Sequence, residues 1–123
     1  MKFRTEVHIA ESDKKIEIED KIFSVGSGFA SEMSDLLKRG QLQTANTPFG
    51  TLFNPFSINN SIKRLHDSEF YHEDELIMFN DEYISLDHHS SFDTRFIHQT
   101  LEKINSKIVE GNHFLHDTNW VII

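Results

Sequence analysis

The chain has 123 residues, enough for one domain around one core, and 37% hydrophobic with 26% charged residues excludes global disorder. A formal charge of −8 argues against a nucleic-acid or anionic-membrane partner, since both need a basic face. The absence of cysteine excludes disulfides, thiolate metal sites and a thiol nucleophile together. Eleven phenylalanines point to an aromatic core. No window approaches the roughly 18 apolar residues that span a bilayer. The segment Met1-Lys2-Phe3-Arg4-Thr5-Glu6 lacks the apolar core of a signal peptide, so the expected compartment is the cytoplasm.

In chain order, Phe3 to Ile9 alternates apolar and polar residues and predicts a short strand. Glu11 to Lys15 is a charged loop, and Ile16-Glu17-Ile18 alternates again until Asp20 interrupts it. Ile22 to Val25 is the first buried strand. Gly26-Ser27-Gly28 follows it and leads into a helix from about Phe29 to Lys38, with Phe29, Met33, Leu36 and Leu37 at helical spacing and Gly40 as its stop. Gln41 to Asn46 predicts a second parallel strand, which Thr47-Pro48-Phe49-Gly50 breaks. Ser57 can cap a helix running to about Asp67. Leu76 to Phe79 and Tyr83 to Leu86 flank Asn80-Asp81-Glu82 and predict a β-hairpin. From Thr94, the stripe Ile97, Leu101, Ile104, Ile108 and Leu115 predicts a long amphipathic helix capped by Asp93 or Ser91. Trp120 to Ile123 predicts a buried parallel strand.

A strand, a tight Gly-Ser-Gly turn and a helix form the unit after which α/β proteins place ligands and nucleophiles. The residues around it, Val25-Gly26-Ser27-Gly28-Phe29-Ala30, resemble the signature of the GSCFA family, which is similar to SGNH (GDSL-type) hydrolases. Three further segments carry the resemblance. Phe3-Arg4-Thr5-Glu6-Val7 resembles the family's lead-in. Thr47-Pro48-Phe49-Gly50-Thr51-Leu52-Phe53-Asn54-Pro55 resembles its second block, with Thr47 in place of an Asn and Phe53 in place of a Tyr. Leu86-Asp87-His88-His89-Ser90-Ser91-Phe92 resembles a third, in which His89 and Ser90 fall on a His-Ser pair.

The resemblance implies a three-layer α/β fold of the SGNH or flavodoxin-like kind, with a parallel sheet in the order 2-1-3 and a small hairpin excursion. The match covers the front part of the family's domain. An α/β sheet usually has about five strands, so the expectation is a single, incomplete domain over 1–123. The strand at 120–123 would then lie at an edge, and an apolar edge favours pairing with a second copy of the chain.

In the family the residue at position 28 is a cysteine, where the wider superfamily has its serine nucleophile; here it is Gly28. Acyl transfer needs a nucleophile, a base and donors aimed at the oxyanion. Gly28 keeps only its backbone N–H. Gly50 is the second candidate donor, and Asn54, His89 and Ser90 are candidate substrate-binding residues through the resemblance. The family's Asp-x-x-His, which would supply the base, is absent from the chain. Ser27 is the one hydroxyl beside the vacated position; it reads more simply as a helix cap or a local backbone partner. Gly28 reads alternatively as a flexible turn, left by gene decay or by replacement of a reactive cysteine.

Eight histidines raise the question of a metal. His88 and His89 diverge if their segment is extended, and His113 with His116 lacks a third ligand, so no metal and no cofactor is expected. The run Tyr71-His72-Glu73-Asp74-Glu75 reads as a solvated loop or helix start. Two functions follow as expectations. The first is a relative of ester or acyl hydrolases that is inactive in this form, with a small ester or acyl compound as the substrate of an active member. The second is a non-catalytic α/β binding or assembly module.

Overall fold

The computed structural model describes residues 3–123, and its centre is a three-stranded parallel sheet. Strand β1 (Lys21–Ser24) lies between β2 (Gln43–Asn46) and β5 (Trp120–Ile122), in the predicted 2-1-3 order. Phe23 pairs with Ala45 on one side and Val121 on the other. Alternation along β1 sends Ile22 and Ser24 to one face and Phe23 and Val25 to the other, all of them fully buried.

Helix α1 (Gly28–Arg39) covers the first face. The residues it buries are Ala30 and Ser34, while Phe29 and Leu36 of the expected stripe are exposed. Small side chains admit close approach to the sheet, where Thr44 Oγ1 donates to the Ser34 carbonyl at 3.3 Å. The helix stops as expected near Gly40, but the left-handed residue is Gln41, with φ 67°. Leu42 N–H then bonds back to the Leu37 carbonyl, closing the last turn.

The second face packs against α3 (Ile97–His116), beside which lies α2 (Pro55–Asp67). Phe23 and Val25 join Phe49, Leu52, Leu65, Tyr71, Ile104 and Ile108 in one core. Ile104 and Ile108 are each worth about 1.5–3 kcal/mol by burial. The buried line of α3 runs through Thr100, Ile104, Ile108 and Gly111, a narrower stripe than the five apolar positions predicted. Neither Asp93 nor Ser91 caps this helix. Phe96 holds the cap position, because Tyr83 N–H bonds to the Thr94 carbonyl at 2.7 Å and ties that segment to the hairpin. The cap of α2 also differs from expectation. Asn54, not Ser57, occupies it, with Pro55 as the first helical residue and Asn54 Oδ1 accepting from Ser57 N–H at 2.8 Å.

The hairpin is present as β3 (Ile77–Phe79) and β4 (Glu82–Ile84), antiparallel, turned by Asn80 and Asp81 with positive φ. The predicted strand at 3–9 does not form, and the alternating residues at 16–18 make no strand either. Both segments are exposed and have no neighbouring strand among the described residues to take their hydrogen bonds. The chain instead turns at Glu17–Asp20, where Asp20 Oδ2 accepts from Glu17 N–H at 2.9 Å and Trp120 Nε1–H at 2.7 Å. No helix among the described residues is long and apolar enough to cross a membrane.

Candidate functional site

Parallel strands place the turns that follow them side by side at one end of the sheet. The turn after β1 (Val25 to Gly28) and the loop after β2 (Thr47 to Asn54) are joined there by Leu52 N–H donating to the Gly26 carbonyl at 2.8 Å. The segment at 88–92 reaches the same place, with His89 N–H donating to the Phe49 carbonyl at 2.9 Å. Three stretches far apart in sequence thus meet at the carboxyl end of the central strand.

Ser27 holds the cap position of α1, but its side chain makes no cap hydrogen bond; its carbonyl accepts from Ala30 N–H at 3.0 Å. Gly28 is the first helical residue, where the backbone N–H has no partner within the helix. A Cβ built on Gly28 meets no atom within 4 Å. The backbone there accepts any residue, and the space beyond it is open.

Gly50 is its opposite. Its φ of 80° is left-handed, and a Cβ would lie 2.5 Å from the Cβ of His89. Its N–H donates to the Thr47 carbonyl at 3.2 Å, so an oxyanion would have to share that donor. Close packing by His89 therefore accounts for the glycine without any ligand. Asn54 is likewise employed in the fold, since its Nδ2 donates to Ser57 Oγ at 2.9 Å while its Oδ1 caps α2.

His88 and His89 point apart. His89 is exposed at the head of a short 3-10 turn (Ser90–Phe92), and its Nδ1 accepts from Ser91 N–H at 3.2 Å. A backbone N–H only donates, so the neutral ring must carry its proton on Nε2. In that tautomer His89 offers Nε2–H as a donor, while its Nδ1 is engaged by Ser91. Ser90 sits beside it, exposed.

His88 turns into the core. Its ring stacks on Phe49 with centroids 4.4 Å apart, meets Tyr71 and Phe92 edge-on, and has Nδ1 2.8 Å from Ser85 Oγ. Its Nε2 is buried without a partner among the described residues. Burial pushes the imidazole down to about 4, against the opposing pull of Asp87. Tyr71, which the sequence placed in a solvated acidic run, is 3% exposed. Its hydroxyl donates to Asp87 Oδ2 at 2.8 Å, and the Arg64 guanidinium lies 3.8 Å from its ring centroid. Burial and the Asp87 carboxylate raise the Tyr71 phenol well above its ordinary range. Arg64 pairs in turn with Glu75. Sequence reasoning missed this group. The available signal was an aromatic residue inside an acidic run, with a charge-bearing Asp-His pair one block later.

His113 and His116 are exposed near the end of α3, and His116 faces His66 with ring centroids 5.6 Å apart. Among the described residues no group of three His, Asp or Glu side chains is arranged to hold a metal ion. A groove of about 420 Å³ opens beside Gly50, between the loop after β2 and α3.

In comparison with known proteins, a model described as the GSCFA family matches residues 21–123. No curated protein and no solved structure matches.

Proposed function

The chain belongs to the GSCFA family, and from that premise we propose that it carries the oxyanion side of an acyl- or ester-hydrolase site whose nucleophile position is vacant. The observation that supports this most is the setting of Gly28. It stands first in the helix that follows the central strand, its N–H is free of helical partners, and a side chain there would project into open space. That is what an exposed nucleophile on a strand–turn–helix unit needs.

Around it the chain supplies donors and little else. The first N–H groups of α1 favour a developing negative charge, and His89 presents Nε2–H from the adjoining segment. The base is a different matter. His88 is buried, and its imidazole is paired with Ser85. No Asp-x-x-His occurs in the chain. Ser27 has a hydroxyl, but among the described residues no histidine is hydrogen-bonded to it.

Purified chain is therefore expected to hydrolyse p-nitrophenyl acetate no faster than background. Gly28→Cys alone should restore little, because a thiol with an ordinary pKa of about 8.5 is only slightly ionised at pH 7 without a base. Turnover that disappears in Ser27→Ala would overturn the reading, because it would make Ser27 the nucleophile.

A further inference from the structure

We infer that the exposed segment 3–9 is a docking strand, which closes antiparallel onto the outer edge of β5 in the same chain. In the structure this segment stands free, but it already has the form of a strand. Arg4 and Glu6 pair at 3.9 Å across a spacing of two, which puts both on one side of an extended backbone. The other side carries Phe3, Thr5, Val7 and Ile9, and its apolar members are 91%, 75% and 88% exposed. On the receiving side, β5 pairs with β1 alone among the described residues. The Ile122 carbonyl faces β1, where it accepts from Val25 N–H at 2.9 Å. The direction of N–H and C=O alternates along a strand, so Val121 turns both of its groups outward. Val121 and Ile123 are exposed as well, on the face of the sheet that holds Phe23 and Val25. Beside Ile123 lies an apolar recess of about 230 Å³, lined also by Pro55, Ile58, Asn59 and Ile62.

Reach, chemistry and charge select this edge and this occupant. The turn at 17–20 is fastened to the start of β5, because Asp20 Oδ2 accepts from Trp120 Nε1–H at 2.7 Å. Lys21 N–H likewise donates to Asn119 Oδ1 at 2.9 Å, so the chain enters β1 on its β5 side. Residues 10–16 lead away from that point, and a connection of this length spans up to about 23 Å when extended. The next strand position outside β5 is only about 4.8 Å away. Because the connection starts at the foot of β5, the segment runs from Phe3 near Ile123 to Ile9 near Asn119, which is antiparallel to β5. The other open edge, β2, is the polar run Gln43-Thr44-Ala45-Asn46 and offers an apolar strand little. Opposed residues share a face, so one register sets Phe3, Val7 and Ile9 on the side of Val121, Ile123 and the recess. A second copy of the chain would bring a further charge of −8, whereas segment 3–9 balances Arg4 against Glu6 and is tethered in place. A Cβ built on Gly26 would lie 3.8 Å from Ile58 Cδ1 and 3.7 Å from the Ile123 carbonyl carbon. The recess therefore adjoins the turn after β1, and docking covers both the sheet edge and that flank of the turn.

Hydrogen exchange at Val121 N–H reads docking directly, because the undocked edge offers that group no strand partner. In the parent chain it should exchange at least about tenfold more slowly than an unprotected amide. Phe3→Ser combined with Val7→Ser should return it to the unprotected rate and leave Phe23 N–H as protected as before. Both substituted positions are exposed, so the variant keeps its core. The chain has no cysteine, which makes a spin label at Arg4→Cys or at His8→Cys unique. The first label should broaden the Ile123 amide more than that of Asn119, and the second label should do the reverse. A mixture of spin-labelled chain and isotope-labelled parent chain should show no such broadening. The inference is overturned if Val121 exchanges freely in the parent chain or stays protected in the double variant. It is equally overturned if the two labels give the opposite order, which is a parallel arm, or if the mixture shows broadening, which makes a second copy the occupant.

Discussion

The turns after β1 and β2 are neighbours joined by a hydrogen bond, yet Gly28 in the first and Gly50 in the second answer to opposite constraints. At Gly50 the backbone is left-handed and the space is taken by His89. At Gly28 the space is empty, and nothing in the fold asks for glycine. Glycine is thus a structural necessity at position 50, and at Gly26 with its φ of 141°, but not at position 28. The difference matters for function, because of these only position 28 can hold a reactive side chain without rebuilding its surroundings.

The largest expected effect comes from removing the glycine at position 50. Gly50→Ala forces a Cβ into a conformation costing about 1–3 kcal/mol and into contact with His89. The total expected loss is about 3 kcal/mol or more, read as the urea-unfolding free energy. The double variant Gly50→Ala with His89→Gly separates the two causes. It should recover the steric part and retain the backbone part. A Gly50→Ala chain as stable as the parent would mean that the loop is free to reorganise, and the contrast between the turns would collapse.

The second effect is reached through pH. His88 braces the loop after β2 by stacking on Phe49, and it is buried as a neutral ring with its folded pKa pushed down to about 4. The ordinary value is 6.5, so between 6.5 and 4 the unfolded chain binds the proton more readily. Stability is unaffected by this group above pH 6.5 and declines as pH falls through that window, by about 3 kcal/mol at its lower end. Unfolding midpoints measured from pH 7.5 to 4.5 should show the decline, and His88→Phe should flatten it. An unchanged slope in the variant would assign the decline to the carboxylates and place no special weight on the ring beneath this loop.

These two residues also show how far sequence could see. The first turn was legible because β1 is a short buried run whose strand–turn–helix context is local. The sheet order, the hairpin and the long helix were legible for a related reason, since hydrophobic period reports which face is buried. The helix caps were not. Asn54 displaces Ser57, and Thr94 is held by Tyr83, because a cap depends on which neighbouring group reaches the free N–H. The apparent strand at 3–9 shows the converse error. Its alternation is genuine, but a strand exists only beside a partner, and none is present among the described residues. At the site, the reason for glycine at 50 and the burial of Tyr71 and His88 arise from contacts across 16 to 39 residues of sequence, which no local pattern records.

The smallest effect is the most direct test of the contrast, because it repeats the same substitution at the other turn. Gly28 is the first residue of α1 and lies outside the left-handed region; its added Cβ would meet no atom within 4 Å. Gly28→Ala therefore introduces no clash and no backbone strain. It restricts the unfolded chain and improves helix propensity, each of which favours the folded state. The expected change is a gain of about 0.4–1 kcal/mol in unfolding free energy, opposite in sign to Gly50→Ala. A loss of similar size would mean that the turn after β1 depends on glycine at position 28 for its shape. Gly28 would then be a conformational requirement, and the idea of a vacated nucleophile position would lose its structural footing. A gain would leave the position open to a side chain, as the proposed lineage requires.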